Sequence, residues 1–341
     1  MQFLSKRVYI CCYLGLFFFI FLGFVFLNGC SQKVLIKALK PAEVSRAAFT
    51  KKIAVTPFKN DKINLSGKVE ANLAKYKIAN KHYFTMVSRA DLHKVLEEQK
   101  IALSGLVDQS TITKVGKLIG VEAIISGQVG VTSISDTNFY ETRTKCNKDS
   151  CWEVRVSCKK RKAGLDAEIR MVDTQVGDII YADTLNKIGI WKHCSDDSLS
   201  LPSTMMASQF LAREIAYSFS YKLLPHYIYY SVTLLDEPDL DYTDYQEELL
   251  ESSLAFIKHK RYDRAEKLLT KLINITDEKS YVPLYNLGVI TEAKGKYEEA
   301  KALYIKADDL TMKPIKEISK AINHIDEVIK ENEIALKQIQ R

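Results

Sequence analysis

The residues best suited to chemistry in this chain are its cysteines, and four of them lie within one stretch of 49 residues: Cys146, Cys151, Cys158 and Cys194. An even set of cysteines is typical of disulfide pairing and allows three connectivities. Asn147–Ser150 is a turn-rich tetrapeptide between the first two, so we predict that these two pair with each other and that the last two pair with each other. His193 leaves a zinc site of three cysteines and one histidine as the alternative.

A fifth cysteine, Cys30, ends an N-terminal segment that resembles a bacterial lipoprotein signal peptide. Two basic residues precede the uncharged apolar run Val8–Leu27, and Gly29 and Cys30 follow that run. These features are typical of a secretory leader, although the run is about long enough for a retained membrane-spanning helix, which is the alternative. The resemblance implies cleavage after residue 29, acylation of Cys30 and, because Ser31 is not acidic, the outer membrane. The oxidising periplasm then favours disulfides over zinc.

The remaining polar residues show no arrangement that is typical of catalysis. The six histidines are scattered without a neighbouring nucleophile or ligand spacing, and Gly116-Lys117 lacks the flanking glycine of a phosphate-binding loop. We therefore expect no enzymatic activity, no cofactor and no metal. The formal net charge is +7, but the basic residues are not clustered, which argues against nucleic-acid binding.

The sequence divides into four consecutive segments. We predict a leader at 1–29, a lipidated tether at 30–50, an α/β domain at 51–235 and a helical domain at 241–341. The predicted strands cover 52–58, 83–87, 121–131, 165–172, 179–188 and 227–235. The predicted helices cover 67–77, a stretch beginning at 88, 110–119 and 203–223. Helices that cross between strands, with an antiparallel hairpin added, predict an α/β sandwich.

Several short motifs of the α/β region occur in an order typical of one family. They are Ile53-Ala54-Val55-Thr56-Pro57-Phe58, Ser88-Arg89-Ala90-Asp91-Leu92, Leu103-Ser104-Gly105-Leu106-Val107-Asp108, Ala123-Ile124-Ile125-Ser126-Gly127 and Arg170-Met171-Val172-Asp173-Thr174-Gln175-Val176-Gly177-Asp178-Ile179. In combination, over residues 51 to 235, they resemble the CsgG family of curli-type assembly and transport lipoproteins. The resemblance implies a three-layer periplasmic α/β domain. In curli-secreting members, the subunits form a ring and two long hairpins per subunit build a membrane pore.

The sequence departs from that family at the hairpins. The first candidate hairpin, Thr132–Lys162, carries charged residues along its whole length. Membrane-spanning strands need an uninterrupted outward apolar face of about 9 to 11 residues, which this segment lacks. The second candidate, Ile188–Pro202, is too short for two such strands. We therefore expect no secretion pore.

The C-terminal region repeats with an offset of 35 residues. Tyr281–Leu310 resembles a tetratricopeptide repeat (TPR) at Leu284, Leu287, Gly288, Tyr297, Ala300, Tyr304 and Ala307. A weaker copy precedes it. Its residues Tyr262, Ala265, Leu269 and Leu272 lie 35 residues before Tyr297, Ala300, Tyr304 and Ala307, respectively. The resemblance implies a groove into which Tyr285, Val289 and Glu292 point to bind a protein partner. The alternative is that Tyr285 only packs against the preceding repeat.

Isoleucines spaced by three and four residues from Ile315 to Ile339 predict a final helix. This helix either caps the repeats or pairs with another subunit, and we favour the cap because two repeats leave an end uncovered.

These patterns together predict a non-enzymatic lipoprotein on the periplasmic face of the outer membrane. It contacts the membrane through its lipid, forms a homo-oligomer or docks through the α/β domain, and recruits a protein partner through the repeats. Two alternatives stay open, a regulator of cell-wall synthesis and a subunit of a secretion channel.

Overall fold

The computed structural model describes residues 32–98 and 109–340. The leader, Cys30 and the motif Leu103–Asp108 lie outside the described residues. The described chain divides into two compact units. The α/β unit comprises Leu39–Tyr227 with residues 331–340, and the helical unit comprises residues 32–38 with Ile228–Lys330. Within the described ranges, the structure contains no helix that is long and apolar enough to cross a membrane.

Strands and helices follow the order expected for an α/β region and then an all-α region, which confirms the predicted fold class. The strands are β1 (Lys33–Lys40), β2 (Lys52–Val55), β3 (Lys77–Ile78), β4 (Lys81–His82), β5 (Thr85–Met86), β6 (Ala123–Cys146), β7 (Cys151–Asp173), β8 (Ile179–Cys194) and β9 (His226–Thr233). The helices are α1 (Ser45–Phe49), α2 (Leu65–Lys75), α3 (Arg89–Glu98), α4 (Gln109–Ile119), α5 (Thr204–Lys222), α6 (Asp244–Lys258), α7 (Tyr262–Ile275), α8 (Tyr281–Ala293), α9 (Tyr297–Asp309) and α10 (Lys316–Gln340).

A five-stranded sheet of order β5-β2-β6-β7-β8 forms the centre of the α/β unit. β2 runs parallel to both β5 and β6, whereas β6, β7 and β8 pair antiparallel. Side chains of β2 alternate between the two faces, because Ile53 and Val55 join one core while Ala54 joins the other. α2 and α5 cover the first face, and α3 and α4 cover the second. The unit therefore has three layers.

Beyond this core, β6 and β7 continue as a two-stranded extension, which we call the ribbon (residues 132–162). Its register runs without interruption from the pair Thr132–Leu165 to the pair Cys146–Cys151. At about 3.3 Å per residue, the 15 residues of β6 in the ribbon extend about 50 Å. The ribbon coincides with the first candidate hairpin, Thr132–Lys162, and its strands continue without a break from the strands predicted to end at 131 and to begin at 165. Its charged residues are accommodated because both faces of the ribbon are largely exposed.

The predicted tether was also wrong, because residues 33–40 form β1 and residues 45–49 form α1. Val34 and Ile36 of β1 are buried in the core of the helical unit, while Lys33, Leu35 and Lys37, which alternate with them, are exposed. β1 pairs with β9, and the Leu234 amide donates to the Gln32 carbonyl at 2.8 Å. The end of β9 thus lies beside the start of β1, and the two strands are antiparallel.

Two helical hairpins, α6–α7 and α8–α9, build the helical unit. Thr243 caps α6 through a reciprocal capping box with Gln246, which fixes where the first hairpin begins. The small and apolar repeat positions Ala265, Leu269, Leu272, Ala300, Tyr304 and Ala307 are all fully buried. The 35-residue spacing therefore marks equivalent core positions in the two hairpins.

The first half of the final helix, α10, packs against the two helical hairpins of the same chain. Ile318 and Ile325 are fully buried and belong to the same core as the two hairpins. Farther along, Gln338 accepts a hydrogen bond from the Ala42 amide at 2.9 Å, within the α/β unit. These contacts agree with the capping alternative, although Leu336 stays 42% exposed.

Candidate functional site

The three side chains predicted to bind a partner lie on α8 and are buried. Tyr285, Val289 and Glu292 are 1%, 0% and 1% exposed. The Tyr285 hydroxyl donates to the Thr233 carbonyl at 2.8 Å, so the chain's own β9 occupies the position expected for a partner. The side chains face inward as the repeat pattern implies. Partner binding through them stays a prediction, and it requires β9 to be displaced.

Asn286, also on α8, holds Leu235, two residues after the end of β9, by two hydrogen bonds. Its amide nitrogen donates to the Leu235 carbonyl at 2.7 Å, and its Oδ1 accepts from the Leu235 amide at 2.9 Å. This two-point contact recognises an extended main chain whatever its side chains are. The prediction missed Asn286, and the signal available was an asparagine on a helix where propensity disfavours it.

The Glu292 side chain is buried in the helical unit, where it accepts hydrogen bonds from two tyrosine hydroxyls. Tyr230 of β9 and Tyr304 of α9 both donate to it. Burial, followed by the charge of Glu292, raises the pKa of both tyrosine hydroxyls well above the ordinary value, so both remain donors. Gly288 makes room for this arrangement, because a Cβ there would lie 2.6 Å from the Tyr304 ring.

A cavity of about 240 Å³ lies beside this cluster, within the helical unit. Its wall includes Tyr230, Glu292, Glu317, Lys320 and His324. The Tyr230 and His324 rings meet edge to face with centroids 4.6 Å apart, and the His324 Nε2 atom is buried without a hydrogen-bond partner. The cavity thus combines aromatic walls with groups of both charges, which suits a polar side chain of a partner better than an apolar one.

Both predicted disulfides are present in the α/β unit. Cys146 bonds to Cys151 at the end of the ribbon, and Cys158 of β7 bonds to Cys194 of β8. Within the described ranges, Glu141, Cys158 and Cys194 are the group close enough together to suggest a metal site. Both cysteines are oxidised, so they offer no thiolate, and the zinc alternative was wrong.

Ion pairs add to the disulfides along the ribbon. Arg161 makes a bidentate contact with Asp136 on the neighbouring strand, at 2.8 and 2.7 Å, and its hydrogen bond lowers the pKa of that carboxyl. Nearer the end, Arg143 contacts Asp196 at 2.6 Å and Asp197 at 2.8 Å. These contacts hold the loop after β8 against the ribbon. Charged side chains therefore lie on both faces of the ribbon.

Several solved structures resemble the fold. They include the lipoprotein GNA1162 from Neisseria meningitidis (15% identity, 49% of this chain and 99% of that chain, TM-score 0.25) and the LpoB C-terminal domain from Salmonella enterica (14%, 40% and 82%, TM-score 0.24). The PelC dodecamer from Paraburkholderia phytofirmans is similar at 13% identity, over 56% of this chain and 98% of that chain, with TM-score 0.23. Likenesses this weak do not establish a function. No curated protein sequence matches the chain.

The family comparison is more direct and covers the sheet, the ribbon and the helices of the α/β unit that precede α5. Residues 42–199 match the family described as "Curli production assembly/transport component CsgG". The match includes the buried strands β2 and β6 together with both disulfides, and it agrees with the motif order found in the sequence. The α/β part of this chain, over residues 42–199, therefore resembles the CsgG family.

Proposed function

We propose that this protein is a non-enzymatic lipoprotein, anchored through Cys30 on the periplasmic face of the outer membrane, that acts as an accessory or scaffold in envelope assembly or transport. Its CsgG-type domain docks or self-associates, and its helical unit recruits a protein partner. The observation that carries the proposal is the CsgG-family match over residues 42–199, in a chain whose Cys30 follows a lipoprotein-type leader.

The structure also bears on where a partner binds. While β9 covers the face of α8, we expect recruitment through either the cavity beside Tyr230 and His324 or the outer surfaces of the hairpins. Tyr245 and Ile275 are 48% and 40% exposed on α6 and α7 and offer such an outer surface. Large exposed side chains of this kind are typical contact residues in protein interfaces.

Each alternative function meets an opposing observation. A secretion-channel subunit needs ribbon faces that tolerate lipid, whereas charged residues such as Arg143 and Arg161 lie along both faces. A regulator of an inner-membrane cell-wall synthase needs a long flexible tether, whereas β1 begins three residues after Cys30. The accessory role meets neither objection.

Two measurements test the proposal. Mass spectrometry of the membrane-extracted protein should show acyl chains on Cys30. Cys30→Ala should move the protein out of the membrane fraction when its leader is cut. A photocrosslinking residue at Tyr245 or Ile275 should capture one recurrent protein in intact cells, whereas one at the exposed Val176 of the α/β unit should not capture it.

Mass photometry of the detergent-extracted protein adds the assembly state. A monomer or small oligomer with one captured partner supports the accessory role. A large closed particle that conducts ions across a bilayer would instead establish the channel alternative, and an unmodified Cys30 would remove the anchor.

A further inference from the structure

The outer face of the β1–β9 sheet carries basic, aliphatic and aromatic side chains side by side. Lys33, Leu35 and Lys37 alternate along β1 with buried residues and point away from the core. From β9, Tyr229 is exposed on the outer side. Leu35 is 58% and Tyr229 is 62% exposed. We call these four residues the outer face.

Such a composition matches the boundary between a bilayer and water. Tyrosine has an apolar ring and a polar hydroxyl, and it is enriched at the level of the lipid headgroups. Lysine has an apolar stem and a charge that reaches anionic headgroups. One leucine between two lysines, with a tyrosine on the neighbouring strand, therefore suits shallow contact with lipid. It is too small an apolar surface for the core of a protein interface.

The position of the outer face in the chain indicates which surface it meets. Lys33 follows Cys30 by three residues, and a fully extended chain spans at most about 3.6 Å per residue, so the start of β1 lies within about 11 Å of an acylated Cys30. A lipid inserted in the bilayer thus keeps the start of β1 close to the headgroups. At this distance the attraction between lysine and anionic headgroups acts within about one Debye length.

We propose that the outer face, Lys33, Leu35, Lys37 and Tyr229, is a second membrane contact that rests on the anionic bilayer surface beside the lipid of Cys30. This proposal rests on the acylation proposed above. The β1–β9 sheet then fixes the orientation of the helical unit on the membrane, which a single flexible lipid does not.

Vesicle binding by the chain from Ser31 onward tests the contact without the lipid, since every described element lies after that residue. This chain should sediment with vesicles of phosphatidylcholine and phosphatidylglycerol, less with phosphatidylcholine alone, and less as salt increases. Each lysine near an anionic surface contributes about five-fold in affinity, so Lys33→Glu/Lys37→Glu should weaken binding by about 20-fold or more.

A matched variant separates the outer face from general basic charge. Lys260 and Lys267 line the basic pocket beside α7, and both are exposed. Lys260→Glu/Lys267→Glu changes the net charge equally and should leave vesicle binding within about two-fold of the parent, because its lysines lie outside the contact. An equal loss in both double variants, or no binding of the parent chain to anionic vesicles, would overturn the proposal.

A second test uses the lipidated protein. After reconstitution in anionic vesicles, a water-soluble acetylating reagent should modify Lys33 and Lys37 several-fold more slowly than Lys260. Equal rates would mean that the outer face is free in the anchored protein, and the proposal would fail although acylation holds. If Cys30 carries no lipid, the vesicle experiment on the unlipidated chain still gives its own result, so failure of the anchor and failure of the contact are distinguishable.

Discussion

Different forces stabilise the ribbon and the groove, which is the face of α8 that carries Tyr285, Val289 and Glu292. In the ribbon, few side chains are buried, and two disulfides and the Asp136–Arg161 ion pair maintain the register. In the groove, Tyr285 and Tyr304 are almost fully buried, and hydrogen bonds to β9 satisfy the polar groups around them. An isolated hairpin is marginal in water, whereas each buried large side chain contributes about 1.5 to 3 kcal/mol. Covalent bonds are thus needed where burial is lacking.

The largest expected effect concerns the groove. Tyr304→Ala removes a fully buried ring and leaves Glu292 with one hydroxyl partner, so we expect a loss of about 3 to 5 kcal/mol in the free energy of unfolding. Tyr304→Phe keeps the ring and should lose only about 1 to 3 kcal/mol. Denaturant unfolding followed by circular dichroism measures both. Equal losses would show that the hydroxyl, not the packing, stabilises the groove.

In the ribbon, the larger disulfide loop should matter more. Removing Cys158–Cys194, with a separation of 36 residues, should cost about 3 to 4 kcal/mol, and removing Cys146–Cys151, with a separation of 5, about 2 kcal/mol. Paired Cys→Ala variants and hydrogen exchange measure this. Faster exchange should be confined to the ribbon and β8. Loss of protection in α8 as well would contradict the contrast between the two regions.

A smaller effect is expected at the contact between α8 and Leu235. Asn286→Ala leaves the amide and carbonyl of Leu235 without these partners, so the free energy of unfolding should fall by about 1 to 3 kcal/mol. Asn323→Ala, at an exposed position of α10, is the control and should change it by less than about 0.5 kcal/mol. Similar values for the two variants would mean that Asn286 does not secure this segment.

The smallest effect is a pH dependence in the α/β unit. Burial lowers the pKa of His226, whose ring packs against Tyr221 with centroids 3.6 Å apart. The unfolded chain then binds the proton more readily, so the stabilisation is complete above the unfolded pKa of about 6.5 and is lost as the pH falls through the folded pKa. His226→Gln should flatten the decrease in melting temperature below pH 6.5, whereas exposed His259→Gln should not. Identical pH profiles for the two variants would contradict this.

Local patterns in the sequence were sufficient for much of the architecture. The order of strands and helices, the family motifs and the 35-residue repeat depend on side chains close together in the chain. Ala265 and Ala300, for example, are fully buried at equivalent helix positions, as their spacing predicts. The disulfide partners were also predictable, because a turn separates one pair and an exported chain favours oxidation of the other.

Long-range pairing was decided only by the tertiary structure. β1 and β9 are separated by more than 180 residues, and neither strand alone indicates its partner. The periodicity of α8 showed that Tyr285 and Glu292 share an inward face, but a periodicity does not reveal which segment covers that face. The sheet strands continue into the ribbon without a break because backbone pairing with a neighbouring strand compensates for side chains that bury little. The leader, the family resemblance and the 35-residue repeat could be predicted from local sequence. Only the fold showed that the chain's own strand fills the groove, because pairing energy depends on neighbours that local sequence does not contain.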